Sequence, residues 1–505
     1  MGFEAVLRRS AAYYASNVAV TYQGRHATYA ELFERSCRVA NAIADRGLQP
    51  GDRVALLGAN AAETVEQIAG IALGGFTRAA LYAHNAAETN AYLADLVDAR
   101  LLIVEESLAE GMLALRDDMP QLEHVIVYRA GDYEDALAAA SPEDPGVTRG
   151  PDDLHVIRFS AGTTGKPKGI VHTNERWSRA MDEYRWCTPQ IDERDAYLAA
   201  APLTHAAGVL CFPVMTLGGE IVIMPKPDLT EFLALIENHE ITHTFLPPTL
   251  IYMLLDHARL AETGLSSLQC LWYGAAPMSA SRLEEALKRI GPVMGQLFGQ
   301  SEAPMMISTL APAEHFRDDG SVATERLSSA GRPTPLTTVA IMDDAGHLLG
   351  PGERGEIVAR GPLVMAGYYK NPQASEEAAK HGWHHTGDIG YLDEDHFLFI
   401  VDRAKDMIIT GGFNVYSAEV EQVLLAHPAV QDCAVIGLPD EKWGERVTAV
   451  VQLRSGQAVA EDEIRAFVKD RLGSVKAPKQ VEVWPDLPRS KVGKVLKVEV
   501  KAQFL

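Results

Sequence analysis

Short apolar segments alternate with stretches of helical spacing along most of this chain, and that alternation restricts it to an α/β fold. Helical spacing covers Tyr29–Ala44 and Ala62–Leu73, with an apolar segment at residues 53–58 between them. Because parallel strands need a crossover helix, this order predicts a mostly parallel sheet covered by helices. Further apolar segments follow at residues 196–200, 220–224 and 270–273.

The chain changes character after Gly331, where Gly- and Pro-rich segments surround short strands such as Gly355–Arg360 and residues 396–401. This texture is typical of antiparallel strands and predicts a barrel-like subdomain. The charged segment at residues 402–406 then separates two apolar strands. We therefore predict a large N-terminal domain at 1–401 and a small α+β C-terminal domain at 402–505.

Composition narrows the class of protein. The 505 residues are 47% hydrophobic and include only 5 cysteines, which excludes a disordered chain and a disulfide-stapled scaffold. A net charge of -22 argues against a nucleic-acid partner. We expect a cytoplasmic protein with no signal peptide and no integral membrane contact; a homodimer is compatible with the sequence.

Two local features qualify this picture. Residues 196–219 carry no Asp, Glu, Lys or Arg and are long enough to span a bilayer, but Pro202, Pro213 and Gly218 favour a buried strand and loop. From Lys469 onward, nine basic residues face four acidic ones. That basic tail is either a solvated helix or a patch for a small polyanion.

The strongest chemical signal is the segment FSAGTTGKPKGIVHT at residues 159–173. Its glycines allow close backbone approach, and its hydroxyls and lysines favour a polyphosphate ligand over a plain flexible turn. A Walker P-loop would need Gly in place of Ser160 and Ser or Thr in place of Pro167. The G-x-G-x-x-G match at residues 350–355 leads into a strand rather than a helix, so it is a turn.

Residues 160–169 resemble the phosphate-binding signature of the adenylate-forming superfamily, which includes acyl-CoA synthetases. Further matches to the family follow in its order at residues 202–205, 274–277, 298–302, 386–388, 402–406, 411–414 and 493–494. The resemblance implies that a carboxylate attacks the α-phosphorus of ATP to give an acyl-adenylate, and that a thiol then displaces AMP.

The resemblance also implies a binding site for ATP and Mg²⁺. Glu302 and Thr163 would hold Mg²⁺, and Asp388 would accept hydrogen bonds from the ribose hydroxyls because a carboxylate is an acceptor only. The catalytic residues would be Lys494, Glu302, Thr163 and His205. The full set of ATP-binding residues would be Ser160, Gly162, Thr163, Thr164, Gly165, Lys168, Gly274, Ala275, Ala276, Phe298, Gly299, Gln300, Ser301, Asp388 and Arg403.

The two half-reactions of this family need two domain orientations. By resemblance, Lys494 would align the carboxylate with the α-phosphate in the first. Rotation about Asp402 as a hinge would then withdraw Lys494 and bring Gly411 and Gly412 to the site for coenzyme A, with Trp443 near the CoA end.

The acyl pocket would be lined by small or apolar groups, which implies an apolar carboxylic acid of the fatty, alicyclic or aryl-propanoid kind. Alternatives are an enzyme that loads a carrier-protein thiol, a luciferase-like oxygenase and a catalytically silent binding protein. Phe298 and Ser301 replace the family's more usual Tyr and Thr. The predicted pocket residues are His205, Ala206, Ala207, Val209, Ala303, Pro304 and Met305.

Overall fold

The computed structural model describes residues 2–160, 166–189, 191–204, 206–489 and 495–504, without the side chains of residues 206 and 207. The helices are α1 (Phe3–Tyr13), α2 (Tyr29–Ala44), α3 (Ala62–Leu73), α4 (Ala87–Leu96), α5 (Glu106–Leu113), α6 (Gly131–Ala139), α7 (Asn174–Cys187), α8 (Ala206–Thr216), α9 (Leu229–Asn238), α10 (Pro248–Leu255), α11 (Ala280–Arg289), α12 (Pro372–Ala378), α13 (Ser417–Leu425), α14 (Glu461–Lys476) and α15 (Lys497–Ala502).

The strands make four sheets. They are β1 (Val18–Tyr22), β2 (Arg25–Thr28), β3 (Arg53–Leu57), β4 (Thr77–Ala80), β5 (Ala99–Glu105), β6 (His124–Tyr128), β7 (Leu154–Phe159), β8 (Gly169–Thr173), β9 (Ala196–Ala199), β10 (Glu220–Ile223), β11 (His243–Leu246), β12 (Cys270–Gly274), β13 (Met294–Phe298), β14 (Ser308–Leu310), β15 (Arg332–Pro333), β16 (Thr338–Met342), β17 (Gly355–Arg360), β18 (Gly367–Tyr368), β19 (His384–Leu392), β20 (Leu398–Arg403), β21 (Ile408–Thr410), β22 (Phe413–Val415), β23 (Val430–Asp440), β24 (Gly444–Leu453) and β25 (Gln480–Trp484).

Two large sheets form the body of the N-terminal domain. The first has the order β18-β8-β7-β4-β3-β5-β6, and the second has the order β15-β14-β13-β12-β11-β9-β10-β1-β2. Strands β3 to β7 run parallel in the first, and β1 and β9 to β13 run parallel in the second, with antiparallel strands at the edges. The predicted α/β class with parallel sheets is confirmed.

Helix α2 shows how local sequence and packing cooperate. Thr28 caps its first turn, because the Thr28 hydroxyl accepts the Glu31 N–H at 3.2 Å and the Glu31 carboxylate accepts the Thr28 N–H at 2.8 Å. Leu32, Val39 and Ile43 then recur at helical spacing and are buried in a core cluster that both large sheets share. The helix therefore lies between the sheets and joins their cores.

The region predicted to be barrel-like is a four-stranded antiparallel sheet with the order β16-β17-β19-β20. The C-terminal domain contains the fourth sheet, in which β21, β23 and β25 all pair with β24, and its helices are α13 to α15. Strand β20 includes Asp402 and Arg403, which pair with Ile389 and Asp388 of β19. The predicted domain boundary at 401 thus falls inside a strand of the N-terminal sheet.

The prediction of a buried strand and loop at residues 196–219 was wrong in its second half. Strand β9 is followed by helix α8, which includes Pro213. A proline inside a helix removes one backbone hydrogen bond, but burial of Val209, Leu210 and Phe212 in the shared core offsets that loss. Among the helices of the described ranges, none combines the length and the apolarity that a bilayer span requires.

Candidate active site

The site begins where two neighbouring parallel strands end. Strand β12 ends at Gly274 and β13 ends at Phe298, and Gly274 is paired with Leu297. A Cβ on Gly274 would collide with the Leu297 carbonyl oxygen, so this position admits only glycine. The next residue, Ala275, has a φ of 65°, which turns the chain sharply away from the sheet. Ligands of open α/β sheets bind at such carboxyl ends, and the predicted ATP-binding residues Gly274, Ala275 and Phe298 lie there.

A hydrogen-bonded chain connects the end of β13 to β19. The Gln300 Nε2 donates to Asp388 Oδ2 at 2.8 Å and to the Thr386 carbonyl at 2.6 Å. The His384 Nε2 lies 3.3 Å from Gln300 Oε1. Burial lowers the pKa of His384 to about 4, so the ring is neutral, and because Oε1 can only accept, Nε2 carries the proton. His384 thereby fixes which end of the Gln300 amide faces Asp388.

Asp388 is also paired with a cation. Its side chain is 7% exposed, and its Oδ1 lies 3.4 Å from Nε of Arg403, which is 41% exposed on the adjacent strand β20. The Asp388 N–H donates to the Thr386 hydroxyl at 3.1 Å, which fixes the turn before the carboxylate. The structure thus brings together Gln300, Asp388 and Arg403, as a site for vicinal hydroxyls requires.

Glu302 meets the base of the glycine-rich loop through a tyrosine. The Tyr368 hydroxyl donates to Glu302 Oε1 at 3.0 Å, and Lys168 Nζ lies 4.9 Å from the centre of the Tyr368 ring. Burial and the nearby Glu302 carboxylate raise the pKa of Tyr368, which keeps the hydroxyl protonated. Tyr368 therefore holds an acidic and a basic side chain of the predicted nucleotide site beside each other.

The base of that loop is closed by two hydrogen bonds. The Ser160 N–H donates to the Lys168 carbonyl at 3.1 Å, and the Lys168 N–H donates to the Ser160 hydroxyl at 3.0 Å. These bonds continue the antiparallel pairing of β7 with β8, in which Phe159 faces Gly169. The loop thus emerges from a rigid two-stranded base, which suits a backbone cradle for phosphates.

The residues present fit a magnesium ion that is shared with a nucleotide. Among the described residues, Glu302 Oε2 accepts no hydrogen bond, which leaves a hard oxygen donor for a cation. No group of three or more His, Cys, Asp and Glu side chains in those ranges could hold a metal by itself. Mg²⁺ commonly takes one or two carboxylates and completes its coordination with phosphates and water.

The predicted acyl segment is a tightly folded turn. Met305 has a φ of 65°, and the Met306 N–H donates to the Pro304 carbonyl at 2.8 Å, which closes a three-residue γ-turn. The buried Tyr184 hydroxyl donates to the same carbonyl at 2.8 Å. A Cβ on Gly299 would lie 2.5 Å from the Met305 backbone nitrogen. Ala303 and Val209 are also buried, so the segment presents a compact apolar surface.

The predicted CoA residues lie close together: Gly411 and Gly412 join β21 to β22 in an exposed hairpin, and Trp443 lies beside them in the turn between β23 and β24. The Gly411 N–H donates to the Trp443 carbonyl at 2.7 Å, and Lys442 and Lys479 lie 4.8 and 5.9 Å from the Trp443 ring centre. Within the described ranges, no atom lies within 4 Å of a Cβ built on Gly412, and Phe413 is 60% exposed. In this orientation of the C-terminal domain the hairpin therefore projects into solvent.

The C-terminal domain contacts the N-terminal domain near the nucleotide site. The Gln422 Nε2 of α13 donates to the Met278 carbonyl at 3.2 Å, in the segment that follows β12. Six predicted site residues lie outside the described ranges, so their placement stays a prediction: Gly162, Thr163, Thr164, Gly165, His205 and Lys494. For Ala206 and Ala207 the structure describes the helical backbone of α8 alone.

Sequence reasoning missed two side chains that complete this geometry. Tyr368 contacts Glu302 across 66 residues of chain, and His384 contacts Gln300 across 84. Tyr368 has no motif around it. His384 stands two residues before the matched segment 386–388, and that proximity was the one available signal.

Comparison with known families and structures agrees with the geometry. The model of the AMP-binding enzymes matches residues 7–369, and that of the AMP-binding enzyme C-terminal domain matches residues 419–494. The chain therefore belongs to the AMP-binding enzymes, the adenylate-forming superfamily. Within it, the chain is an AMP-forming acid–thiol ligase, an acyl-CoA synthetase whose substrates are a small carboxylic acid, ATP with Mg²⁺, and CoA.

Three similar proteins illustrate the range of the family. A medium/long-chain-fatty-acid–CoA ligase, FadD8 of Mycobacterium tuberculosis, is 39% identical over 94% of this chain and 86% of its own length. A feruloyl-CoA synthase of Amycolatopsis is 37% identical over 96% of each chain. The solved structure of the amide bond synthetase McbA from Marinactinospora thermotolerans has a TM-score of 0.90 at 31% identity, covering 99% of this chain and all of that one.

Proposed function

We propose that this chain joins an apolar carboxylic acid to CoA, with its adenylation site at the ends of β12 and β13 in the N-terminal domain (1–401) and a mobile C-terminal domain (402–505). The observation that carries the proposal is the contact of Gln300 and Arg403 with Asp388. A carboxylate has acceptor sites only, so a buried one held between two fixed donors is suited to accept hydrogen bonds from a pair of ribose hydroxyls.

In the first half-reaction, an oxygen of the acid attacks the α-phosphorus of ATP, and the bond to pyrophosphate breaks. Glycine-loop amides and Lys168 bind the β- and γ-phosphates, together with Thr163 and Thr164, and donors fixed before the reaction stabilise charge that develops on them. Glu302 and Thr163 would hold Mg²⁺, which neutralises phosphate charge when it is bound. Lys494 would bind the acid and the α-phosphate together.

In the second half-reaction, the CoA sulfur attacks the acyl carbon and AMP leaves with the bonding electron pair. The exposed hairpin at Gly411 and Gly412 would reach the adenylate after rotation about Asp402. Trp443 offers a ring for a flat adenine, and Lys442 and Lys479 beside it offer charge for the CoA phosphates. Of the basic tail that begins at Lys469, Lys479 would thus contribute to a patch for a polyanion.

The acid is apolar, and a fatty, alicyclic or aryl-propanoid group is its proposed class. The described part of the predicted pocket supports this proposal, because Val209, Ala303, Pro304 and Met305 carry no charge and are buried. FadD8 is named for medium- and long-chain fatty acids, and the Amycolatopsis relative is named for ferulate. We further propose a cytoplasmic location and a homodimer without a nucleic-acid partner, which fractionation and light scattering would test.

A panel of fatty, alicyclic and aryl-propanoid acids tests the function directly. We expect AMP and an acyl-CoA from at least one acid, and pyrophosphate release that needs the acid but not CoA. Acid-dependent pyrophosphate release without CoA consumption would indicate a different thiol acceptor, such as a carrier protein. ADP in place of AMP, or no turnover with any acid, would refute the assignment.

A further inference from the structure

We propose that Lys497 is a positioning residue that holds the hinge residue Asp402 through Ser417, and so favours the domain orientation of the first half-reaction. The inference rests on the proposed hinge and deepens it. It adds a fixed set of contacts that must open before the C-terminal domain can rotate. We call Asp402, Ser417, Lys497 and Glu421 the hinge network.

The hinge network begins at a buried carboxylate. Asp402 is 4% exposed, and it accepts the Ser417 hydroxyl at 2.7 Å from Oδ2 and 3.0 Å from Oδ1, as well as the Ser417 N–H. Asp402 is the hinge residue itself and lies on β20, which pairs with β19 of the N-terminal sheet, whereas Ser417 is the first residue of α13 in the C-terminal domain. These contacts therefore span the hinge itself.

Lys497 sets the order in which hydrogen bonds are donated along the hinge network. Its Nζ donates to the Ser417 hydroxyl at 2.6 Å and pairs with Glu421 Oε1 at 2.8 Å. An ammonium has no acceptor, so the Ser417 oxygen accepts from Lys497 and its single proton goes to Asp402. The order of donation is Lys497 to Ser417 to Asp402, and loss of Lys497 removes the group that orients the hydroxyl.

The charges of the hinge network support the same conclusion. Burial alone lowers the pKa of Lys497, but the Glu421 and Asp402 carboxylates raise it above its ordinary value, so the ammonium stays charged. Glu421 also accepts the Val435 N–H at 2.7 Å, which fixes its position on the C-terminal sheet. Lys497 thus stands between the Asp402 carboxylate at the hinge and the Glu421 carboxylate of α13, and screens one from the other.

Rotation about the Cα–C bond of Asp402 would move α13 away from the Asp402 side chain and break its contacts with Ser417. The hinge network therefore stabilises the orientation described here, in which Gly412 and Phe413 lie in solvent. An orientation with that hairpin in solvent does not serve the thiol step. We infer that the network stabilises the adenylating orientation relative to the thioester-forming one.

Lys497→Met and Ser417→Ala test this role in the full chain. Acid-dependent pyrophosphate release measures the first half-reaction, and thioester formation from supplied acyl-adenylate and CoA measures the second. We expect the ratio of the first rate to the second to fall about tenfold in both variants, the usual effect of losing one hydrogen bond to a charged group. Lys497→Arg retains a charged donor and should recover most of the ratio.

Lys476→Met is the matched control. Lys476 Nζ pairs with Glu419 at 2.6 and 2.7 Å, on the same helix α13, and neither residue contacts Asp402. The control should leave the ratio unchanged. Equal loss of both half-reactions in Lys497→Met and Ser417→Ala, or the same change of ratio in Lys476→Met, would show that Lys497 only supports the C-terminal fold.

A measurement without substrates separates this inference from the proposed function. Limited proteolysis of the full chain should cut the segment from Arg403 to Gly412 several times faster in Lys497→Met and Ser417→Ala than in wild type or Lys476→Met. Unchanged cleavage would overturn the hinge network even in an active ligase. Faster cleavage in a protein that makes no AMP would support the network while the proposed function fails.

Discussion

The side-chain amide of Gln300 donates to the carboxylate of Asp388 at 2.8 Å. This contact connects the large sheet that contains β13 to the antiparallel sheet that contains β19. The nucleotide site is thus built at a junction between two sheets. A substitution of Gln300 or Asp388 should therefore weaken nucleotide binding more than it lowers the free energy of unfolding.

Asp388→Asn should raise the KM for ATP and lower kcat/KM about 10- to 100-fold, because the charged acceptor for the ribose hydroxyls and for Arg403 is lost. Steady-state AMP formation against ATP concentration measures this effect. Asp393→Asn is the control, since Asp393 follows the same strand and accepts hydrogen bonds only within its own turn. Unchanged ATP kinetics in Asp388→Asn would exclude the ribose role.

Tyr368→Phe should raise the concentrations of nucleotide and Mg²⁺ that give half-maximal activity about tenfold. Glu302 loses its hydrogen-bond donor in this variant, while the ring beside Lys168 remains. The measurement is AMP formation titrated with Mg²⁺ at fixed ATP. The neighbouring Tyr369→Phe provides the control, since its hydroxyl lies 3.5 Å from Asp98 and contacts none of the predicted site residues that the structure describes. Equal effects in both variants would contradict a specific role for Tyr368.

Gly299→Ala should lower the free energy of unfolding by about 1–3 kcal/mol, because the new Cβ would press on the backbone of Met305 and displace the γ-turn. We also expect a higher KM for the acid, since that turn bounds the predicted acyl pocket. Denaturant melts and acid titrations give the two quantities. Gly131→Ala is the control, because the nearest described atom to the new Cβ is 3.9 Å away. Its free energy of unfolding should not fall below that of wild type.

The neutral state of His384 predicts a dependence of stability on pH. Its pKa falls from about 6.5 in the unfolded chain to about 4 in the folded one, so unfolding takes up a proton between these values. The stabilising effect is therefore fully present above about pH 6.5 and declines as the pH falls towards 4. Wild type should lose about 1.4 kcal/mol per pH unit more than His384→Gln in this window.

Denaturant melts of wild type and His384→Gln at several pH values measure this difference. Other buried histidines and acids titrate equally in both proteins, so subtraction removes their effects. His347→Gln, in an exposed loop, controls for the substitution itself. A difference between wild type and His384→Gln that does not vary with pH would show that folding leaves the pKa of His384 unchanged, which would contradict the neutral, buried ring.

Strong periodicity made several elements predictable to the residue. Helices α2 and α3 and strand β17 have the bounds that their spacing predicts. Pro213 was misjudged, because the rule that proline ends a helix considers local structure alone, whereas α8 is surrounded by core side chains. The local proline rule thus failed at α8 because packing in the core outweighs the loss of one backbone hydrogen bond there.

The predicted site could also be predicted only in part. Matched motifs identified Asp388, Glu302 and Gln300, whose partners the structure now supplies. Lys497 and Ser417 are 80 residues apart, so no local pattern could join them. Contacts between side chains distant in sequence depend on how sheets and helices pack. A single sequence, read without an alignment, carries no signal for them.

Asp402 and Arg403 are consecutive on β20, yet they contact different parts of the molecule: one binds the first turn of α13, and the other binds the acidic residue assigned to the ribose. A single peptide unit therefore links the tilt of the smaller domain to the sugar of the nucleotide. Anyone grafting this domain onto a relative should place the splice before Leu398, so that Asp402 and Arg403 come from the same parent, and should check that the recipient supplies an acidic residue in the place of Asp388.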